Sequence, residues 1–231
     1  MIEIRPFSEL GHANHGWLDA HHHFSFADYQ DPTRMNWGKM RVWNDDIIAP
    51  HTGFAPHPHQ DMEIITYVRT GAITHEDSMG NVGRTEAGDV QVMGAGTGVR
   101  HSERNLEDVQ TSLFQIWIHP RTPGGAPHWG QMAFPKGERA GHWVVLASGD
   151  AADGDTLHIN ANARVIGATL AAGGTLSHTV SPERHAYLVS TTGAVRVNGH
   201  SAQPRDGIAI GAGSTITIEA VEGTELVLVE A

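Results

Sequence analysis

The sequence predicts an all-β protein built from two tandem barrels, with few short helices. Three observations carry this expectation. Apolar runs are short and are separated by turn signals drawn from 27 Gly and 11 Pro, the pattern of many short strands. No long stretch repeats apolar residues at the helical period. The order of turns and strands also recurs: Thr70-Gly71-Ala72-Ile73, Ala87 to Val92 and Gly94-Ala95-Gly96 match Thr192-Gly193-Ala194-Val195, Asp206 to Ile210 and Gly211-Ala212-Gly213. Such self-similarity marks two copies of one β unit.

In chain order, short helices are expected around Pro6 to Leu10 and from Asp28 to Asn36, where Pro32 limits the second. Met62 to Val68 is rich in β-branched residues and reads as a strand. Leu113 to Ile118 reads as another, with Gln115 and Trp117 on one face. Pro120 to Gly141 is rich in Pro, Gly and charge and reads as the connection. The expected units are therefore residues 1–135 and 136–231.

Composition removes several function classes. A formal net charge of -11 repels a phosphate backbone, so direct nucleic-acid binding is not expected. With no cysteine there are no disulfides, thiolate ligands or cysteine nucleophile. Met1 to Pro6 lacks the apolar core of a signal peptide, and no stretch reaches the length of a membrane span. A soluble, cytoplasmic protein without membrane contact is expected.

Two short patterns carry the chemistry: His57-Pro58-His59 and His101-Ser102-Glu103. Residues i and i+2 of a strand share a face, so each pair presents both side chains together. Brought side by side, the pairs offer three imidazoles and one carboxylate, a donor set for a divalent transition metal. The second half has neither pattern, which assigns the metal to the first half and a scaffold role to the other. Ser102 alternates to the opposite face, which argues against a serine hydrolase triad. His21-His22-His23 and His75-Glu76-Asp77 read as structural groups, the latter stabilising the turn at Met79-Gly80-Asn81.

The order Gly53, His57, His59, Glu63, Gly71, then Gly88, Gly94, Gly96, His101 and Asn105, resembles the two motifs of the cupin superfamily, with Gly94 where proline is usual. Trp17-Leu18, His22, Phe24-Ser25-Phe26, the segment His57 to Tyr67, Asp77 to Asn81 and Ala95 to Glu103 together resemble the pirin family, bicupins with one metal-bearing half. The resemblance implies an iron-type centre on His57, His59, His101 and Glu103. For bacterial members it also implies a quercetin 2,3-dioxygenase-like activity. Glu63, the carboxylate of the general cupin motif, lies four residues from His59, about 13 Å along a straight strand. Glu103 is therefore taken as ligand, and Glu63 is expected to orient a ligand imidazole by hydrogen bond.

These readings imply one metal ion per chain, Fe(II) first, with Ni, Cu, Mn, Co and Zn as alternatives. A flavonol such as quercetin, or another enol, would be cleaved with dioxygen, and Glu103 would take the enol proton as general base. Gln115 is a candidate pocket residue. The competing expectation is a metal-containing sensor or binding module that acts through a protein partner, because a donor set does not fix function.

Overall fold

The computed structural model describes residues 1–231. Strands dominate, and the helical segments are 3-10 turns at Phe7–Glu9, Lys136–Arg139 and Ala151–Asp153. Asp28 to Asn36 forms turns and no helix. There the Asp31 carboxylate accepts from the Thr33 N–H at 2.9 Å and hydroxyl at 2.7 Å, a local turn that competes with helical bonding. No helix is long and apolar enough to cross a membrane.

The first half contains β1 (Ile2–Arg5), β2 (Gly11–Asn14), β3 (Leu18–His22), β4 (Met40–Ile48), β5 (Gly53–His59), β6 (Glu63–Thr70), β7 (Ala72–Asp77), β8 (Val82–Glu86), β9 (Val90–Gly94), β10 (Val99–Arg104), β11 (Thr111–Ile118) and β12 (His128–Met132). The second half contains β13 (Val144–Ser148), β14 (Leu157–His158), β15 (Arg164–Leu170), β16 (Thr175–Thr179), β17 (Ala186–Ser190), β18 (Val195–Val197), β19 (His200–Ala202), β20 (Gly207–Ile210), β21 (Thr215–Ala220) and β22 (Thr224–Glu230).

Each half pairs a seven-stranded sheet with a four-stranded one. The large sheets run β12-β9-β6-β11-β4-β3-β2 and β1-β20-β17-β22-β15-β13-β14. The small ones run β5-β10-β7-β8 and β16-β21-β18-β19. The sheet orders correspond strand for strand through β9-β6-β11-β4 and β20-β17-β22-β15, the structural form of the repeat in the sequence.

Both edges depart from a simple tandem. β1 pairs antiparallel with β20, so the first residues complete the second half's sheet. The segment read as a connection holds β12, which pairs with β9 and sets His128 opposite Gly94. A Cβ on Gly94 would fall 2.1 Å from the His128 ring, so a larger residue there would have to displace that imidazole.

The two large sheets pack face to face. Ile65, Tyr67, Phe114 and Ile116 of the first join Val189, Val227 and Val229 of the second in one cluster of 24 buried residues. Burying a large apolar side chain stabilises by roughly 1.5–3 kcal/mol, so this shared core outweighs the polar contacts at its rim. Those contacts include Lys136 on Glu225 at 2.6 Å and buried Arg139 donating to the Tyr67 hydroxyl at 3.0 Å. The alternate residues Ile64, Gln115 and Trp117 are thereby turned toward the interior of the first barrel.

Candidate metal centre and its cavity

β5 and β10 pair antiparallel with His101 directly opposite His57, and His59 stands two residues further along the same face. The close approach depends on Gly53, where a Cβ would fall 2.3 Å from the Glu103 carbonyl oxygen. One nitrogen from each of the three imidazoles lies within 4.8 Å of the others. His57 Nε2 and His101 Nε2 face each other at 3.1 Å.

The ring tautomers follow from the outer partners. His57 Nδ1 lies 2.8 Å from the Ala55 carbonyl, which only accepts, so Nδ1 carries the proton and Nε2 the lone pair. His75 Nε2 donates to Asp77 Oδ2 at 3.0 Å, which leaves His75 Nδ1 as an acceptor. His101 Nδ1, 3.4 Å away, donates to it, and His101 Nε2 then also carries a lone pair. With His75 neutral, two lone pairs face each other across 3.1 Å, an arrangement that suits a cation held by both rings.

Burial and neighbouring imidazoles keep His101 and His59 neutral. Burial, then neighbouring His57 and His75, lower the His101 pKa to about 3. Burial, then His101 and His57, lower that of His59 to about 4. Neutral imidazoles are what a metal requires. The donor set therefore fits a divalent transition metal.

Glu103 follows His101 on β10 but is not one of the three groups gathered within 4.8 Å. Its Oε1 accepts from Thr66 Oγ1 at 3.1 Å and Gln91 Nε2 at 2.6 Å, and its Oε2 accepts from Gln115 Nε2. These donors are cross-strand neighbours, because Gln115 pairs with Thr66 and Thr66 with Gln91. Asn44 and His22 extend the row across β4 and β3. A polar line thus crosses the floor of the barrel, and Glu103 reaches it from the opposite sheet.

The centre opens into a cavity of about 370 Å³ walled by Trp17, Phe26, Phe54 and Trp117. Trp117 meets the His59 ring edge-on, with centroids 4.9 Å apart. Gln115, His57, His59, His101 and Glu103 all line this space.

Glu63 does not reach it. Alternation along β6 sends Ile64 to the cavity and Glu63 to the other face. There its buried carboxylate lies 3.7 Å from His128 Nε2, and burial raises its pKa. Orientation of the imidazoles is carried out by Ala55, His75 and Asp77, of which His75 and Asp77 were read from sequence only as turn residues. The second half has no comparable centre: its corresponding strands β16 and β21 bring together hydroxyls, Ser177 with Thr217 at 3.3 Å and Thr179 with Thr215 at 3.1 Å.

A family model described as Pirin matches residues 3–118, and one described as a quercetinase C-terminal cupin domain matches residues 145–231. The chain belongs to the pirin family. It is an all-β bicupin. A pirin-like protein of Caulobacter vibrioides is 60% identical over 231 residues, with all of both chains covered. A quercetin 2,3-dioxygenase of Escherichia coli K12 is 42% identical over 229 residues, covering 99% of this chain and 97% of that one. Among solved structures, the bacterial pirin YhhW of Escherichia coli in complex with nickel(II) superposes with a TM-score of 0.92 at 40% identity, covering 100% and 98% of the two chains. Histidine clustering in this pirin thus occurs on a scaffold on which a metal complex has been described.

Proposed function

We propose that this pirin is a metal-dependent dioxygenase that cleaves a flavonol such as quercetin with dioxygen, at a mononuclear centre held by His57, His59, His101 and Glu103. The observation that carries this reading is the pair of imidazole nitrogens, His57 Nε2 and His101 Nε2, facing each other at 3.1 Å in the wall of an aromatic-lined cavity. A divalent transition metal, Fe(II) in first place, supplies Lewis acidity for an enol oxygen and positions for small oxygen donors. The protein supplies the rest.

Trp17, Phe26, Phe54 and Trp117 offer flat apolar surface to a planar ring system and exclude water from it. Glu103 is the base that takes the enol proton on a carboxylate oxygen. Gln91, Thr66 and Gln115 hold that carboxylate in place from the sheet floor. Once Glu103 is protonated, the Gln115 amide, which donates through Nε2 in the ionised state, can turn over and accept the new O–H on its otherwise unpartnered carbonyl oxygen. His75 and Asp77 fix the His101 ring so that Nε2 points into the site.

We place the metal-bearing unit within residues 1–135 and the scaffold unit within 136–231, with β1 contributed across to the second sheet. The deciding experiment supplies purified, metal-loaded protein with quercetin in air and follows flavonol absorbance and carbon monoxide. Loss of the first with release of the second is expected. No turnover with iron, nickel, copper or manganese would overturn the reading in favour of a binding module.

A further inference from the structure

The strand β4 carries a carboxyl group that the proposed chemistry does not use. Alternation turns Asn44 and Asp46 to the cavity and Asp45 to the opposite face. Asp45 is held there by Arg69 and, at 2.5 Å, by Arg205. Asp46 has neither ion pair nor hydrogen bond: it is 2% exposed, lines the cavity, and its Oδ1 is buried with no partner. Its cross-strand neighbours are Ala20 and Leu113, both members of an apolar cluster against which Trp17 and Phe54 pack.

A buried polar group without a partner is destabilising, and native proteins rarely keep one where an apolar residue would fit. Here no protein group supplies the partner, and the carboxyl stands in the cavity wall. We propose that Asp46 is a specificity-determining residue whose carboxyl hydrogen-bonds a hydroxyl group of the bound ligand, so that polyhydroxylated aromatic rings are selected over unhydroxylated ones.

Burial, then the negative charges of Asp45 and Glu103, hold the Asp46 pKa well above the ordinary carboxylate range. A neutral carboxyl offers one O–H donor and one carbonyl acceptor, the same complement as a phenolic hydroxyl. An anionic ligand group gains nothing at this end, because the Glu103 carboxylate shares the cavity. Asn44 belongs to the same subsite: its Oδ1 meets His22 Nδ1 at 2.9 Å, which leaves the amide N–H groups on the floor beside Asp46. The subsite thus takes a neutral hydroxylated ring.

The inference rests on the flavonol reading for the shape of the ligand, and its test measures binding in place of turnover. Equilibrium binding of quercetin and of 3-hydroxyflavone, which keeps the enol but lacks the ring hydroxyls, is read anaerobically by quenching of tryptophan fluorescence, since Trp17 and Trp117 line the cavity. The unaltered protein is expected to bind quercetin at least about tenfold tighter, the value of one good buried hydrogen bond. Asp46→Leu should remove that preference and leave 3-hydroxyflavone binding within about twofold, whereas Asp46→Asn, which keeps a donor and an acceptor, should retain most of it.

Equal affinity of the unaltered protein for the two flavonols would overturn the inference without any variant. So would an Asp46→Leu protein that weakens both ligands alike or neither. Absence of carbon monoxide release with the binding preference intact would remove the dioxygenase reading and leave this subsite standing.

Discussion

Asp45 and Asp46 are adjacent in the chain and stand on opposite faces of β4, one clasped by Arg69 and Arg205, the other facing the cavity with no partner. Two carboxyls of one dipeptide therefore have opposite energetic roles. Removing Asp45 leaves the largely buried Arg69 with an uncompensated charge, whereas Asp46 has no protein partner to lose.

That contrast is measurable by denaturant unfolding. Asp45→Ala should lower stability by roughly 3–5 kcal/mol, the usual cost of breaking a buried ion pair from one side. Asp46→Asn should change it by less than about 1 kcal/mol, because an unpartnered acid is exchanged for an unpartnered amide of the same shape. Equal losses would mean that Asp46 has a structural partner after all.

Metal retention separates the groups that face the centre from the one that does not. The parent should hold one equivalent of metal per chain after exhaustive dialysis, and His101→Ala should lose it. Glu63→Gln should keep it, because Glu63 lies on the far face of β6 against His128. Elemental analysis decides. An emptied Glu63→Gln protein beside a loaded His101→Ala protein would require a different donor set.

The imidazole pairs were legible because a strand puts i and i+2 on one face, a rule that needs no knowledge of the partner strand. The same rule explains why Glu63 was misplaced. Distance from His59 alone does not place Glu63; the alternation that gives the cavity face of β6 to Ile64 does. The row from His22 through Asn44, Gln115 and Thr66 to Gln91 was not legible, because it is assembled from five strands whose mutual register no local pattern encodes. For the same reason His75 read as a turn residue: its contact with His101 arises from the pairing of β7 with β10. β12 was hidden in a segment whose Pro, Gly and charge outweigh the weak strand signal of His128 to Met132.

The depressed imidazoles give the metal-free protein a signed pH dependence. The folded-state pKa of His101, about 3, lies below the ordinary histidine value of 6.5, so the unfolded chain binds more protons between these limits. Stability due to this group is present above 6.5 and is lost as pH falls, by on the order of 1 kcal/mol per pH unit. Asp46, raised well above its ordinary value, contributes with the opposite slope. The cleanest readout is the difference between parent and His101→Gln. The parent should gain on the variant from pH 4 toward 6.5 and run parallel above it, at slopes of about one proton. A flat difference across that range would show that the ring is not desolvated.

In the proposed centre Glu103 joins the metal site to the sheet floor, and its role is isolated by Glu103→Gln. The amide keeps a carbonyl oxygen for a metal and the size needed between Thr66, Gln91 and Gln115, but it is neutral and cannot take a proton at ordinary pH. Its N–H₂ group also confronts the Gln91 and Gln115 amides, which donate to Glu103 in the parent, so one of them must turn. Metal content should therefore fall modestly, while flavonol cleavage per bound metal falls by about 10²–10⁴-fold, the usual contribution of a general base. Both quantities are needed, since activity alone confounds loading with chemistry. Cleavage at the parent rate, corrected for bound metal, would leave Glu103 as a ligand only and would send the search for the base to another side chain of the cavity.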